Sequence, residues 1–569
     1  MKKHSKYNTD VTGAEAVILA LLDEQVTDVF GYPGGAIMPV YDALYDYKKQ
    51  LTHYLVRHEQ GAIHAAQGYA RVSGRTGVAI ATSGPGATNL ITGIADAQID
   101  STPIVCITGQ VHSHLLGTDA FQETDVVGIS MPVTKWNIQV TKAEDIAPAI
   151  AKAFYIAGSG RPGPVLVDIT KDAQFGNTIY NYEKCESIRS YFPTQKVNEA
   201  QVNKAAELIN EAKRPYILCG HGVSLSGAEK ELLAFAEKAN IPVASTLLGL
   251  GAFSPQHPLY VGYLGMHGNY GPNLLTNDCD LLIAIGMRFD DRVTGNVAKY
   301  AKQAKVIHFE IDPSEVNKII PANVAVLGDA KEALKLLLPK IKETKHTDWL
   351  KRFADCNTIE FDKVIKEAIN PTSDKLKMAE VIDKLHKISK GNSIIVTDVG
   401  QHQMITSRYY KCNIPNYFIT SGGLGTMGFG LPAAIGAKVA CPNVEVVTVL
   451  GDGGFQMTIQ ELGTIMQSDI AVKILVLNNN FLGMVRQWQQ LFFDRRYSFT
   501  EMKNPDFIAI ANGYNIKGKK ITERKDLEQA LKEMYASKES YILDVVVENE
   551  ENVFPMVATG ASVAEIRLE

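Results

Sequence analysis

Short runs of Val, Ile and Leu recur along the chain between longer stretches in which apolar residues have helical spacing. The short runs are nearly continuous in apolar residues, which is typical of parallel strands covered by helices on both faces. The pattern therefore predicts an α/β protein built from doubly wound parallel sheets. The predicted strands are Val78–Thr82, Pro103–Gly109, Pro164–Thr170, Tyr216–Gly220, Asp280–Gly286, Lys305–Ile311, Ser393–Val399, Val444–Leu450, Lys473–Leu477 and Tyr541–Val547.

Two stretches interrupt this alternation. Residues 173–198 are polar, and residues 336–375 form a Lys-rich amphipathic segment. We interpret both as linkers. Three domains are thus predicted, at residues 10–172, 195–335 and 376–552, and each is long enough to bury a core of its own.

Composition narrows the class of protein. The 569 residues include 57 Lys and Arg against 62 Asp and Glu, a net charge of −5, so the basic footprint of a nucleic-acid binder is absent. The first ten residues are basic but lead into no apolar signal region, and no run approaches the roughly 18 apolar residues of a membrane span. We therefore expect a cytoplasmic protein. Seven scattered cysteines without a CxxC pair argue against a disulfide framework.

Two polar motifs near the C-terminus each follow an apolar run. Val444–Leu450 leads into GDGGF, which contains Asp452, and Lys473–Leu477 leads into NNN, which contains Asn479. The 27 positions between Asp452 and Asn479 suffice for a strand, a helix and a return strand, so both side chains are expected at one sheet edge. A carboxylate and an amide oxygen suit Mg²⁺ that shares its shell with phosphates, and the glycines allow a diphosphate to approach closely.

This pair of motifs resembles the diphosphate–Mg²⁺ motif of thiamine-diphosphate enzymes, which begins with GDG and ends with NN. The family's glutamate motif is matched by the RHEQGA string at residues 57–62. The resemblance implies that Glu59 holds the aminopyrimidine of thiamine diphosphate as the imino tautomer that removes the C2 proton. In this family the glutamate and the GDG motif come from different chains, so a homodimer or a dimer of dimers with interfacial active sites is expected.

Further strings extend the resemblance, from about residue 10 to 565, to the large catalytic subunit of acetohydroxyacid synthases, also called acetolactate synthases. They are FGYPGGA at 30–36, SGPGATN at 83–89, FQETD at 121–125 and SGGLGTMG at 421–428. The implied reaction decarboxylates pyruvate on thiamine diphosphate and condenses the hydroxyethyl carbanion with a second 2-ketoacid, pyruvate or 2-ketobutyrate. This is the first common step of branched-chain amino-acid biosynthesis.

The same resemblance implies the sites of thiamine diphosphate and its metal. Met427 is expected beneath the cofactor, where it forces a bent conformation. Thiamine diphosphate is expected to contact Pro33, Gly34, Gly84, Asn89, Val399, Gly400, Gln401, His402, Gly425, Met427, Gly453, Gly454, Leu482, Gly483 and Met484. Mg²⁺ is expected at Asp452, Asn479 and Phe481.

A second cofactor is expected in the middle domain, where RFDDRV at residues 288–293 follows the predicted strand Asp280–Gly286. Its charges could be a solvated ion-pair cluster, but the carboxyl end of a strand favours ligand binding. In acetohydroxyacid synthases this segment belongs to the domain that binds a non-redox FAD; no GxGxxG fingerprint supports the flavin independently. The expected contacts are Arg161, Gly220, His221, Gly222, Leu247, Gly265, Met266, His267, Gly286, Arg288, Asp290, Glu310, Asp312 and Asp329.

Substrate residues are implied in the same way. Arg292 is expected to anchor the carboxylate of the acceptor, since a guanidinium binds carboxylates in a bidentate manner. Trp488 matches the family position that favours 2-ketobutyrate over pyruvate. Gln122 and Lys171 match positions that line the substrate channel.

Pyruvate oxidase remains an alternative, because it also uses thiamine diphosphate, Mg²⁺ and FAD, although it reduces the flavin. A simple decarboxylase fits poorly, since its adjacent histidine pair is replaced by His112-Ser113-His114. Glu59 counts against a glyoxylate carboligase, and an inactive scaffold is disfavoured because Asp452 and Asn479 are also intact. A small regulatory subunit is expected as a partner.

Overall fold

The computed structural model describes residues 6–569, in which three six-stranded sheets have parallel pairing throughout. The first five residues of the basic opening segment lie outside the described residues. Helices cover the sheets, so the predicted doubly wound α/β class is confirmed.

The N-terminal sheet has its carboxyl edge next to the glutamate motif. Its strands are β2 (Asp28–Gly31), β3 (Thr52–Leu55), β4 (Gly77–Ala81), β5 (Ile104–Gln110), β6 (Trp136–Val140) and β7 (Pro164–Thr170), and β1 (Asp10–Thr12) pairs antiparallel with β8 (Asn177–Ile179). Its helices are α1 (Gly13–Asp23), α2 (Met38–Tyr47), α3 (Glu59–Ser73), α4 (Pro85–Asn89), α5 (Ile91–Ile99), α6 (Val126–Ser130), α7 (Ile146–Gly158) and α8 (Lys171–Phe175). The strand order is β3-β2-β4-β5-β7-β6.

The central sheet has the order β11-β10-β9-β12-β13-β14. Its strands are β9 (Pro215–Cys219), β10 (Val243–Ser245), β11 (Tyr260–Tyr263), β12 (Leu281–Ile285), β13 (Lys305–Glu310) and β14 (Val324–Leu327). The helices of this part are α9 (Glu199–Glu211), α10 (His221–Ser226), α11 (Glu229–Ala239), α12 (Tyr270–Thr276), α13 (Asp291–Thr294), α14 (Ala330–Leu337), α15 (Thr347–Glu360) and α16 (Lys366–Ile369).

The C-terminal sheet has the order β16-β15-β17-β18-β20-β19. Its strands are β15 (Ile394–Thr397), β16 (Phe418–Thr420), β17 (Val446–Gly451), β18 (Lys473–Asn478), β19 (Lys517–Ile521) and β20 (Tyr541–Val546). Its helices are α17 (Met378–Ser389), α18 (Gln401–Tyr409), α19 (Gly430–Ala440), α20 (Asp452–Met457), α21 (Leu462–Ser468), α22 (Gly483–Phe492), α23 (Phe507–Gly513) and α24 (Arg524–Ala536).

Helix α15 lies inside the segment 336–375 that the sequence predicts as a linker. Trp349, Phe353 and Cys356 on this helix are buried in a core cluster with Tyr216 of the central sheet. The Trp349 indole also donates a hydrogen bond to the carbonyl of Pro215 at 2.9 Å. This part of the segment therefore belongs to the central domain's core and does more than connect two domains.

Helices α3 and α19 join the N-terminal and C-terminal domains. They cross so closely that a Cβ built on Gly68 would lie 1.9 Å from the carbonyl oxygen of Ala433. A Cβ on Gly436 would lie 1.7 Å from the carbonyl oxygen of Ala65. Only glycine fits at either position, and the crossing fixes the helix that begins at Glu59 against the C-terminal domain.

Two further expectations concern the described residues. The seven cysteines form no disulfide, as their scattered spacing predicts. Five of them are buried. No helix among residues 6–569 is both long enough and apolar enough to cross a membrane.

Candidate active site

A cavity of about 1520 Å³ lies between the central and C-terminal sheets and reaches the end of α5 in the N-terminal domain. Loops that follow strands β9, β12 and β13 form one wall, and loops that follow β15, β17 and β18 form the other. Both walls are thus built at carboxyl ends of parallel strands, where open α/β sheets bind ligands.

Asp452 and Asn479 lie on the C-terminal wall at adjacent strand ends. Strands β17 and β18 pair in parallel with Gly451 opposite Leu477, so the residues that follow them meet at one edge. Asp452 is 1% exposed and Asn479 is 3% exposed. Asp452 accepts a hydrogen bond from the Asn504 amide at 2.6 Å, and burial raises the pKa of its carboxyl to about 6. A buried carboxylate beside an amide oxygen suits Mg²⁺, which would favour the charged form.

The neighbouring loop offers a cradle for phosphate groups. His402 is buried, burial lowers its pKa to about 3, and its Nε2 has no hydrogen-bond partner within the described residues. A Cβ on Gly400 or Gly451 would lie 2.8–2.9 Å from the His402 ring, so a side chain at either position would displace that ring. A diphosphate oxygen can accept only from an Nε2 that carries a hydrogen, and the negative charge of a bound diphosphate would favour that protonated form.

Asp398, which sequence reasoning missed, fixes the loop around Met427. Its carboxylate accepts backbone N–H bonds from Val399 at 2.7 Å, Gly430 at 2.9 Å and Gly428 at 3.0 Å. The sequence feature that could have identified Asp398 is its position directly after the apolar strand β15. Asn504, on a long loop after α22, was also missed, and no recognisable motif marks it.

The cavity gathers most of the predicted thiamine-diphosphate and metal residues. Those that line it are Val399, Gly400, Gln401, His402, Gly425, Met427, Asp452, Gly453, Gly454, Asn479, Phe481, Leu482, Gly483 and Met484. Glu59 and the predicted thiamine-diphosphate residues of the N-terminal domain (Pro33, Gly34, Gly84 and Asn89) do not line it.

Those N-terminal residues form a separate patch around Glu59, the first residue of α3. The Asn89 amide donates to the Glu59 carboxylate at 2.9 Å. A Cβ on Gly84 would lie 2.8 Å from the carbonyl oxygen of Gln122, whose own φ is +60°. A Cβ on Gly34 would lie 2.5 Å from Thr82, just before the loop that carries Gly84.

Two more predicted residues lie at this edge of the N-terminal sheet. Pro33 directly precedes Gly34 after strand β2. Lys171 begins α8 at the end of β7, and its backbone N–H reaches the carbonyl of Val111. The structure therefore groups Glu59 and the other predicted thiamine-diphosphate and substrate residues of the N-terminal domain at the carboxyl edge of their own sheet, outside the cavity that Asp452 and Asn479 line.

The wall formed by the central domain depends on glycines. A Cβ on Gly220 would lie 2.2 Å from the Gly286 carbonyl oxygen, and a Cβ on Gly222 would lie 2.7 Å from the Gly286 Cα. The loops after β9 and β12 can touch only because these residues lack side chains. His267 is buried, and burial lowers its pKa to about 4.

Of the predicted flavin residues, twelve line the cavity and two do not. The twelve are Arg161, His221, Gly222, Leu247, Gly265, Met266, His267, Gly286, Arg288, Asp290, Glu310 and Asp329. Gly220 lies behind the wall. Asp312 also lies outside the lining, where it accepts a 3.3 Å hydrogen bond from Arg161. The open wall and the glycine contacts fit a nucleotide-sized cofactor.

Arg292 and Trp488 face the same cavity from opposite walls. The Arg292 side chain is 60% exposed, and its closest carboxylate, Asp291, is 3.9 Å away, so its guanidinium is available to an anion. Trp488 packs against Phe492 with ring centroids 4.8 Å apart and ring planes tilted by 31°. A cation and an aromatic face in one cavity can hold a small carboxylate with an apolar tail.

Three family models match the chain. The thiamine pyrophosphate enzyme N-terminal TPP binding domain matches residues 11–129, the central domain matches residues 202–337, and the C-terminal TPP binding domain matches residues 398–545.

Individual proteins match over almost the full length. The acetolactate synthase isozyme 2 large subunit of Escherichia coli is 47% identical over 563 residues, which cover 98% of this chain and 99% of that protein. The probable acetolactate synthase large subunit of Methanocaldococcus jannaschii is 46% identical over 566 residues, 97% of this chain and 95% of that protein. The acetolactate synthase large subunit of Buchnera aphidicola is 46% identical over 566 residues, 98% of each. The similarity therefore runs through all three sheets.

Proposed function

The chain belongs to the thiamine pyrophosphate enzyme family, among the acetolactate synthase large subunits, and on that premise we propose that it condenses two 2-ketoacids. Pyruvate loses CO₂, and its remaining two-carbon unit joins the keto carbon of a second 2-ketoacid. Pyruvate as acceptor gives 2-acetolactate, and 2-ketobutyrate gives 2-aceto-2-hydroxybutyrate. The product belongs to branched-chain amino-acid biosynthesis.

The observation that carries this proposal is the meeting of four groups on one cavity. Asp452 and Asn479 occupy adjacent strand ends, and Arg292 and Trp488 line the same space. The first pair suits a metal diphosphate and the second pair suits a 2-ketoacid. Thiamine diphosphate supplies the nucleophilic carbon that this reaction needs.

The residues of this chain then have distinct roles. Asp452, Asn479 and Phe481 would hold Mg²⁺, and the loop at His402 would receive the diphosphate. Arg292 orients the acceptor through its carboxylate, while Trp488 contacts the acceptor's alkyl group. The largely apolar lining limits the water that could protonate the reacting carbon before the acceptor arrives.

FAD is proposed to fill the cavity on the side of the central domain. The glycine contacts at Gly222 and Gly286, and the lining by His221 and Arg288, support this placement. The condensation consumes no electrons, because one carboxylate leaves as CO₂ while one carbon–carbon bond forms. The flavin is therefore proposed to be structural.

Two copies of the chain are proposed to complete the active site. Glu59 and its partner Asn89 lie on the N-terminal domain and do not line the cavity that contains Asp452. A second chain that presents its Glu59 patch to this cavity would unite the two sets, in a dimer or a dimer of dimers. The relatives are named large subunits, and we propose a small regulatory subunit as a further partner.

Anaerobic incubation of the purified chain with thiamine diphosphate, Mg²⁺, FAD and pyruvate tests the proposal. Acetolactate that accumulates while the flavin stays oxidised is the expected result. Flavin bleaching stoichiometric with pyruvate loss, without acetolactate, would instead identify a pyruvate oxidase. The full-length similarity to acetolactate synthases does not favour that alternative.

A further inference from the structure

Asp100, the residue that ends α5, lies where the three domains meet. It is 1% exposed. Its carboxylate accepts backbone N–H bonds from Gly422 at 2.8 Å and Gly423 at 2.7 Å, in the C-terminal domain. Arg71 on α3 donates to the same carboxylate at 2.9 Å. A buried anion thus bridges two successive backbone amides of the loop that leads to Met427.

Residues of helices α3 and α5 in the N-terminal domain also hold the rest of this loop. Arg71 also donates to the carbonyl of Thr420 at 2.5 Å. Asp96, one helical turn before Asp100, accepts from the Thr426 hydroxyl at 3.0 Å and from the Ser421 hydroxyl. Residues on both sides of Gly425 are therefore fixed from outside their own domain.

Asp100 and Ser101, which follow α5, also connect to the central domain. The Asp100 carbonyl lies 3.2 Å from Nδ1 of His221, whose ring lines the flavin side of the cavity. Burial lowers the pKa of His221 to about 4, so its ring is neutral at pH 7. Since a carbonyl can only accept, Nδ1 carries the hydrogen and Nε2 is left as an acceptor. Ser101 receives a 2.9 Å hydrogen bond from Arg161, which lines the same side of the cavity and pairs with Asp312 of the central domain at 3.3 Å.

We propose that Asp100 is a positioning residue that couples the two cofactor sites: its carboxylate sets the Ser421–Met427 loop, and its carbonyl sets His221. The proposal rests on the proposed function, because it takes thiamine diphosphate and FAD as the two ligands. Bound FAD would order the wall around His221 and thereby favour the loop geometry that receives thiamine diphosphate. Bound thiamine diphosphate would strengthen FAD binding by the same factor.

Asp100→Asn tests this coupling with a nearly isosteric change. The amide oxygen can still accept one backbone N–H, but the NH₂ group faces the second N–H and the Arg71 guanidinium. The measured quantity is the dissociation constant of FAD, from flavin fluorescence, in the presence and absence of thiamine diphosphate with Mg²⁺. We expect these two constants to differ about 5-fold or more in the wild type and to become equal in the variant.

Asp280→Asn is a matched control. Asp280 also bridges two successive backbone amides, those of Lys213 and Arg214, both at 2.9 Å, but it does not line the cavity. The Asp280→Asn variant should keep the wild-type coupling between FAD and thiamine diphosphate binding, even if its melting temperature is lower. Arg71→Lys retains a cation beside Asp100 and should reduce the coupling partially, which provides a second test if Asp100→Asn fails to fold.

Three results would overturn the role of Asp100: no coupling in the wild type, undiminished coupling in Asp100→Asn, or equal loss in the Asp280→Asn control. Acetolactate formation by the wild type is measured separately. A chain that makes acetolactate but shows any of these results refutes the coupling alone, whereas a chain that makes none refutes the proposed function.

Discussion

Gly436→Ala should destabilise the protein through the crossing of α3 and α19. The new Cβ would lie 1.7 Å from the carbonyl oxygen of Ala65, whereas ordinary van der Waals contact begins near 3.4 Å. The two helices must therefore separate locally by about 1.7 Å, because the neighbouring atom belongs to the backbone and cannot rotate away. Overpacking of this kind typically costs about 1–3 kcal/mol.

The assay is urea unfolding followed by circular dichroism, together with acetolactate formation under native conditions. We expect a lower unfolding midpoint and also reduced turnover, since α3 carries Glu59 at its first residue. Gly513→Ala is the control, because Gly513 also lies in a helix but has no neighbour within 4 Å of the Cβ that alanine would add. It should be neutral or stabilising by up to about 1 kcal/mol. Equal midpoints for Gly436→Ala and the wild type would refute the close-crossing argument.

Three further changes address the chemistry. Glu59→Gln preserves an acceptor for the Asn89 amide, so the variant should retain thiamine diphosphate in binding assays but lose nearly all acetolactate formation; full activity would contradict the role of Glu59. Trp488→Leu should erode the preference for 2-ketobutyrate over pyruvate in a mixed-acceptor assay, and an unchanged product ratio would contradict the contact with the alkyl group. Asp452→Asn removes the anionic group of the proposed Mg²⁺ site, so the Mg²⁺ concentration for half-maximal activity should rise roughly 10–100-fold, and an unchanged Mg²⁺ titration would rule Asp452 out as a ligand.

The adjacency of Asp452 and Asn479 could be predicted from the sequence because it depends on short-range geometry. Each residue follows an apolar run, and the intervening length suits one helix, so parallel pairing brings the two residues to one edge. Strands β1, β2, β8, β10, β11, β14 and β16 lie outside the predicted runs, and each has only three or four residues. Strand β6 also lies outside them, because polar residues interrupt its sequence WNIQV. Strand β19 was missed because Lys517–Ile521 has the sequence KGKKI and lacks an apolar run.

Asp100 could not be found in this way. Its partners Gly422 and Gly423 lie more than 300 positions later in the chain, and their contact depends on how two domains dock. Asn504 is similar, since only the path of a long loop brings its amide to Asp452. Periodicity and motif spacing describe single elements and neighbouring strands, whereas these contacts are set by tertiary packing.

The crossing of α3 and α19 also has a consequence for how the protein is made. Gly68 leaves the ribosome 368 residues before Gly436 does. At about 5–20 residues per second, the small-residue face of α3 waits roughly 20–70 s for its partner helix to be translated. During that interval the face is an exposed apolar surface on a nascent chain, and a chaperone that covers it would protect the protein at the stage when it is most prone to aggregate.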